Sequence, residues 1–364
     1  TIATDPAFGV TPEAREQFLY RGGMRIVTTI DPKAMAAAQA AVDEALEPTN
    51  RVATAIAVVQ PGTGDVKAIA TNRRWGVKTS KGQTEVILPA VKRFQPGSTF
   101  KPITVAAALD AGVVTDMARR YDATRPLIVG GHRISDSHSE GRWMNVPEAL
   151  VHSSNVVTAQ IADDLGKERL QATFRALQFD RRPQIELAER GLPQWPRNWG
   201  RTTTMTAGFG HSIMVTPLHL ASAYAALVNG GIFRPATILK VEPGHVPQGR
   251  RVFTESTSAR MRQLLRMIVA SGTGARADAP GFRVGGKTGS AERVIDGSYV
   301  GNSVVATFAG VFPMDHPRYV VLVMIDRPPG NAYSLGQRTA AFTAAPVVRK
   351  VVQRIGPMLG IYPD

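Results

Sequence analysis

The chain contains no cysteine. Disulfide scaffolds, thiol nucleophiles and thiolate metal sites are therefore excluded. The absence fits either redox compartment and leans toward an oxidising one, where a stray thiol is a liability. No apolar run approaches the roughly 18 to 20 residues that span a bilayer. The longest, Tyr319 to Ile325, has the length of a strand. A signal-peptide pattern is also missing, and the chain opens on Thr1 rather than methionine, which reads as an excised portion of a longer protein. The histidines, His132, His138, His152, His211, His219, His245 and His316, show no metal spacing, so they read as structural or surface residues. No metal and no cofactor is expected. Helix-turn-helix punctuation, zinc spacing and a basic stripe interleaved with aromatics are all lacking.

What is present is an ordinary globular composition in 364 residues. At roughly 150 residues per domain, that length suggests two domains, or one large domain with an appendage. Lysine and arginine number 43 against 29 acidic residues, a net charge of +14. Such a charge attracts polyanions. The basic residues are dispersed, however, in short pairs such as Arg73-Arg74, Arg119-Arg120 and Arg250-Arg251. A solvated basic surface is the reading, with no nucleic-acid partner.

Residues 1–24 are weakly patterned and read as a linker remnant, leaving 25–364 as one domain. MRIVTTI (24–30) reads as a strand and 33–47 as a helix with Pro32 at its start. Thr54–Gln60 and Asp65–Ala70 read as strands joined by the turn Pro61-Gly62-Thr63-Gly64. Ser98–Asp110 reads as a helix ended by Gly112. Residues 113–146 read as a polar connection and Pro147–Leu165 as a helical region. Residues 167–177 extend the helical region, and 180–216 show little periodicity. Pro217–Val228 and Ser256–Ala270 read as helices, 284–290, 303–311 and 319–326 as strands, and 339–354 as a closing helix. Strand runs with few βαβ alternations predict an α+β fold: an antiparallel sheet packed by helices, with an inserted helical region.

Three short motifs carry chemistry. Ser98-Thr99-Phe100-Lys101 follows Gln95-Pro96-Gly97, which sets a sharp entry into an apolar helix. Ser98 then lies where free backbone N–H groups favour developing negative charge, with Lys101 on its face. A serine hydroxyl needs a neighbouring base, and a partly buried lysine near another cation can serve. An N-cap serine with a snorkelling lysine is the plainer alternative. Ser153-Ser154-Asn155 interrupts an apolar helix with residues that prefer caps and turns. It marks either a helix break facing a cleft or an ordinary junction. Gly285-Gly286-Lys287-Thr288-Gly289-Ser290 brings glycine into a strand, the mark of close backbone approach.

The same stretch also fits GxxxxGK[ST], the phosphate-loop pattern, from Gly281 to Thr288. That motif needs an apolar strand before it and a helix after it. Neither flank here reads that way.

Taken in order, Ser-x-x-Lys, Ser-x-Asn and Lys-Thr-Gly are the signature of active-site-serine, penicillin-recognising enzymes. The chain resembles the transpeptidase domain of class B penicillin-binding proteins, and within them the division-specific septal transpeptidases of the FtsI type. The resemblance runs from about Thr28 to Asp364. It includes VVQPGTGDVKAIA, RFQPGSTFKPITVAAALDAG, PEALVHSSNVVTAQIADDLG, TAGFGHSIMVTPLHLASAYAALVNGG and VGGKTGSAE. Ser290 stands where threonine is commoner. Residues 71–93 lack the usual asparagine-proline phrase.

The resemblance implies a five-stranded antiparallel sheet with an inserted all-helical subdomain. It implies a periplasmic D,D-transpeptidase, anchored in the cytoplasmic membrane by an N-terminal segment that this chain lacks. Ser98 would be the nucleophile, Lys101 its base and Ser153 a proton shuttle tuned by Lys287. Asn155 would bond the donor peptide. Thr288, Gly289 and Ser290 would line the substrate, with the Thr288 and Ser290 hydroxyls on the terminal carboxylate. Backbone N–H groups of Ser98 and Ser290 would form the oxyanion hole. The implied partners are peptidoglycan stem peptides (a D-Ala-D-Ala donor and an amine acceptor), β-lactams as covalent inhibitors and, for the full-length protein, a septal glycan polymerase. The isolated chain is expected to be monomeric.

Other readings compete. A serine β-lactamase needs a carboxylate to prime water, but the tripeptide is Ser-Ser-Asn and no Glu-x-x-Leu-Asn phrase follows. A D,D-carboxypeptidase or an elongation transpeptidase would carry the same motifs. A non-catalytic β-lactam sensor or cell-wall-binding module could keep Ser98 without turnover.

Overall fold

Ala53–Val59 (β1) is an uninterrupted run of small and β-branched residues, every one of them buried. Such a run suits a strand covered on both faces. In the computed structural model, which describes residues 5–45, 53–72, 78–79, 82–83, 88–242, 244–295 and 298–364, β1 lies inside a five-stranded sheet. The other strands are Val66–Thr71 (β2), Gly285–Ile295 (β3), Ser298–Phe312 (β4) and Tyr319–Asp326 (β5). Their order is β3-β4-β5-β1-β2, with every neighbouring pair antiparallel.

The two-residue period of the strands sorts the core into two layers. Ala55, Ala57, Val59, Leu322 and Met324 face one cluster, which includes Leu218, Leu220 and Leu265. Ile56, Val58, Val321, Val323 and Ile325 face the other, built on the helices Pro32–Ala45 and Ala344–Met358. The helices Pro217–Val228 and Glu255–Ser271 cover the first face. Pro217–Val228 is buried along its whole length, which explains an apolar pattern with no polar stripe.

Between β2 and β3 the chain forms an insertion with a helical body: Lys101–Asp110, Val146–Val151, Asn155–Leu165, Lys167–Ala176 and Arg201–Gly208. Residues 113–146, expected as a plain connection, add two two-stranded ribbons, Arg120–Asp122 with Trp143–Asn145 and Leu127–Val129 with His132–Ile134. Arg201–Gly208 was also unexpected. Its threonines satisfy their hydroxyls on the preceding turn, Thr204 on Gly200 O and Thr206 on Thr202 O. Packing on the helix Asn155–Leu165 holds it, and a Cβ on Gly208 would stand 2.5 Å from that of Ala162.

One further expectation is corrected. MRIVTTI is not a strand: a single bridge joins Thr28 to Leu239, and Ile26 and Val27 are exposed. Thr29 instead ties down across the sheet end, its hydroxyl donating to Val66 O and Thr237 O. Residues 285–295 are one strand, so Gly281 to Thr288 is not a phosphate loop. Within 1–24, Pro12–Tyr20 forms a helix capped by Thr11 with no buried residue.

Candidate active site

The turn Gly97–Phe100 is a 3-10 turn that runs directly into the helix Lys101–Asp110. Side chains three apart eclipse in that geometry, so Ser98 and Lys101 share one side. Gly97 takes φ 54° and donates its N–H to Gly210 O at 3.1 Å. The Ser98 hydroxyl has no hydrogen-bond partner among the described residues. Lys101, by contrast, is fully buried.

Ser153 occupies the break between the helices Val146–Val151 and Asn155–Leu165. Its φ is 60°. Ser154 N–H reaches Ala149 O at 2.8 Å and Ser153 N–H reaches Leu150 O at 3.3 Å. This is the crossed pair of a Schellman ending, whose left-handed position glycine normally fills. A serine there costs of order 1–3 kcal/mol of backbone strain, and its side chain accounts for its presence. Lys101 Nζ donates to Ser153 Oγ at 3.1 Å and to Ser153 O at 2.5 Å. Lys287 Nζ donates to the same Oγ at 2.9 Å. One hydroxyl thus sits between two lysine side chains from different elements.

β3 supplies the third side. Gly289 is required by contact: a Cβ there would lie 2.6 Å from Pro96 O and 2.9 Å from Thr99 Cγ2. Only a bare backbone lets the strand close on the serine turn. Lys287 is fully buried and donates also to Thr288 O and Oγ1, at 3.1 and 3.2 Å. Ser290 is exposed, and its hydroxyl accepts Ala340 N–H at 2.9 Å.

Burial sets the electrostatics, because a charged amine loses water. Lys101 lies well below the usual lysine range, first through burial and then through the charge of Lys287, with Asp136 opposing. Lys287 is lowered to about 7 by burial. His211, next to Gly210, is lowered to about 4 by burial and by Lys101.

The structure brings Lys101, Ser153, Lys287 and Thr288 into one hydrogen-bonded group, with Ser98 and Gly289 beside it. Asn155 opens the following helix, its side chain donating to Ser135 O at 2.9 Å. Asp136 escaped the sequence reading. Its carboxylate accepts Ser154 Oγ–H at 2.8 Å and Val156 N–H at 3.0 Å. A negative group at that helix N-terminus is favourable, and it fixes the Ser153 turn from behind. Thr273, which accepts the Thr288 hydroxyl at 2.9 Å, was also missed. Neither residue has a local signal, since each meets the site from a distant loop. Among the described residues no His, Asp or Glu cluster is arranged to hold a metal.

Three motifs meeting at the edge strand of such a sheet is the arrangement of active-site-serine, penicillin-recognising proteins. The penicillin binding protein transpeptidase domain profile matches residues 54–352, so the chain belongs to that family. It is 38% identical over 345 residues to the protein named probable peptidoglycan D,D-transpeptidase FtsI of Caulobacter vibrioides, covering 92% of this chain and 58% of that protein. With the Escherichia coli K12 peptidoglycan D,D-transpeptidase FtsI it shares 32% identity over 316 residues, 84% of this chain and 52% of that one. The apo structure of the TP domain from Burkholderia pseudomallei penicillin-binding protein 3 superposes with a TM-score of 0.83 at 27% identity, covering 94% of this chain and 99% of that one. The chain thus spans somewhat more than half the length of the two FtsI proteins.

Proposed function

We propose that this chain is the catalytic part of a peptidoglycan D,D-transpeptidase that works through an acyl-enzyme on Ser98. The observation that carries the reading is the Ser153 hydroxyl held between Lys101 and Lys287, each fully buried. A buried amine held neutral is a base, and a hydroxyl linked to it carries protons onward.

Ser98 Oγ attacks the carbonyl of the penultimate D-alanine while Lys101 accepts its proton. The proton passes through Ser153 to the departing amine of the terminal D-alanine, the carbon–nitrogen bond breaks, and the acyl group remains on Ser98. An acceptor amine then attacks that ester and returns Ser98 to its hydroxyl form, leaving a peptide cross-link. Lys287 tunes the Lys101–Ser153 pair. Asn155 bonds the donor amide, N–H groups of Ser98 and Ser290 receive the oxyanion, and Thr288 and Ser290 bind the terminal carboxylate beside Gly289. β-Lactams would acylate the same serine.

The named relatives support a septal role for the whole protein, at the periplasmic face of the cytoplasmic membrane and beside a glycan polymerase. Among the described residues no helix is long and apolar enough to cross a membrane. We take residues 25–364 as the transpeptidase domain and 1–24 as linker, and the isolated chain as monomeric. The test is cross-linking of a lipid-linked precursor during polymerisation. Dimeric stem peptides are expected. Trimmed peptides without dimers would favour a carboxypeptidase, and unchanged peptides a non-catalytic sensor. Depletion of the full-length protein should give filaments with unconstricted septa; rounded cells that still divide would mean an elongation enzyme.

A further inference from the structure

Tyr224 lies in the helix Pro217–Val228 and is the largest fully buried side chain among the described residues. Its hydroxyl donates to Thr99 O at 2.8 Å, a bond between residues 125 apart in the chain. Burial pushes its ionisation well above the ordinary tyrosine range, so the group keeps its proton and remains a donor.

The oxygen it meets lies between the two reacting residues. Thr99 belongs to the 3-10 turn Gly97–Phe100, in which Lys101 N–H donates to Ser98 O. One more bond of that kind would run from residue 102 to Thr99 O. Residue 102 is proline, which has no N–H to give. Tyr224 therefore brings a donor to the oxygen where the turn cannot supply its next bond. The rest of Thr99 is also held. Its hydroxyl donates to Pro96 O at 2.7 Å, and its Cγ2 would lie 2.9 Å from a Cβ on Gly289.

Ser98 and Lys101 flank the peptide that joins Thr99 to Phe100, one on each side. Rotation of that peptide changes the separation of their side chains, and proton transfer needs a near-contact geometry. We propose that Tyr224 is a positioning residue for acylation: its hydroxyl fixes the Thr99–Phe100 peptide and thereby the approach of Ser98 to Lys101. This rests on the transpeptidase reading above.

The test is acylation by benzylpenicillin over a range of concentrations, which separates the rate at saturation from the half-saturating concentration. Tyr224→Phe should lower the rate at saturation about ten- to a hundred-fold and leave the half-saturating concentration unchanged, because no ligand-binding group is touched. Installing 4-aminophenylalanine at position 224, which restores a donor, should return most of the rate. Ser258→Ala removes a different buried bond, Ser258 Oγ to Leu227 O at 2.7 Å. It should lower the melting temperature and leave acylation unchanged. A wild-type rate in folded Tyr224→Phe overturns the proposal. So does an equal loss in Ser258→Ala, or a loss that 4-aminophenylalanine does not repair, since either marks a general loss of packing. If Tyr224→Phe does not fold, 4-fluorophenylalanine at 224, which fills the hydroxyl volume without a proton, makes the same comparison. Failure of the wild-type chain to take any label at Ser98 would instead overturn the transpeptidase reading on which the proposal rests.

Discussion

Lys101 and Lys287 donate to one atom, the Ser153 hydroxyl oxygen, at 3.1 and 2.9 Å. Neither side chain is exposed. Two protonated amines so placed would repel each other in a low-dielectric site, so at least one is neutral near pH 7. Lys101 is pushed well below the ordinary lysine range, by burial first and by Lys287 second, and Lys287 is lowered to about 7 by burial.

Lys101→Arg keeps a cation at this position and removes the base, because a guanidinium does not deprotonate in this range. Acylation by benzylpenicillin should fall about 10²- to 10⁴-fold. A wild-type rate in the folded variant, measured by stopped-flow or quenched labelling, would contradict the role of Lys101.

Lys101 faces Lys287 from β3, Asp136 from the loop before the ribbon Trp143–Asn145, and His211 beside Gly210. Asp136 is the negative member and raises the proton affinity of Lys101. Asp136→Asn keeps an acceptor for Val156 N–H but removes that charge. Lys101 would then stay neutral to lower pH. The acid limb of the acylation pH profile should move toward lower pH, and an unmoved limb would show that Asp136 acts through shape alone.

Lys287 bears on stability as well. Its folded value near 7 lies below the unfolded lysine value of 10.5. Between those limits the unfolded chain binds the extra proton, so the stability contributed at this site rises as pH increases from about 7 to 10.5 and its full cost is present below 7. Replacing Lys287 by methionine removes the titration. Thermal melts should show the Met variant losing ground to the wild type as pH rises from 7 toward 10. A constant difference across that range would contradict the buried, depressed amine.

Gly289→Ala would put a methyl group 2.6 Å from the Pro96 carbonyl oxygen. Backbone, not a flexible side-chain end, must yield. The strain of such overpacking is about 1–3 kcal/mol. A lower melting temperature and slower acylation should appear together, because the displaced atoms are those of the Ser98 turn. An alanine variant with wild-type acylation would mean that β3 need not close on that turn.

The sequence carried the local parts of this picture. Pro217–Val228 is bounded by Pro217 and the Asn229-Gly230 ending, and the three motifs name their own chemistry. The helix break at Ser153 was legible because three polar residues interrupt an apolar pattern. MRIVTTI failed because a β-rich composition does not say whether a partner strand exists. Arg201–Gly208 failed because its threonines are poor helix formers that packing overrides. Asp136 and Thr273 were invisible for the same reason: their roles arise from contacts across the fold, and a lone aspartate or threonine in a loop has no pattern.

Peptide mapping after exposure to benzylpenicillin tests the central claim most directly. The account predicts one covalent adduct, on the peptide containing Ser98, persisting for many minutes because no described carboxylate accepts from the Ser98 hydroxyl and the proposed reaction resolves the acyl-enzyme with an amine rather than water. Ser98→Ala should abolish the label and keep the melting temperature. An adduct on another residue, no adduct on folded protein, or turnover of penicillin at about ten per second or faster would contradict it.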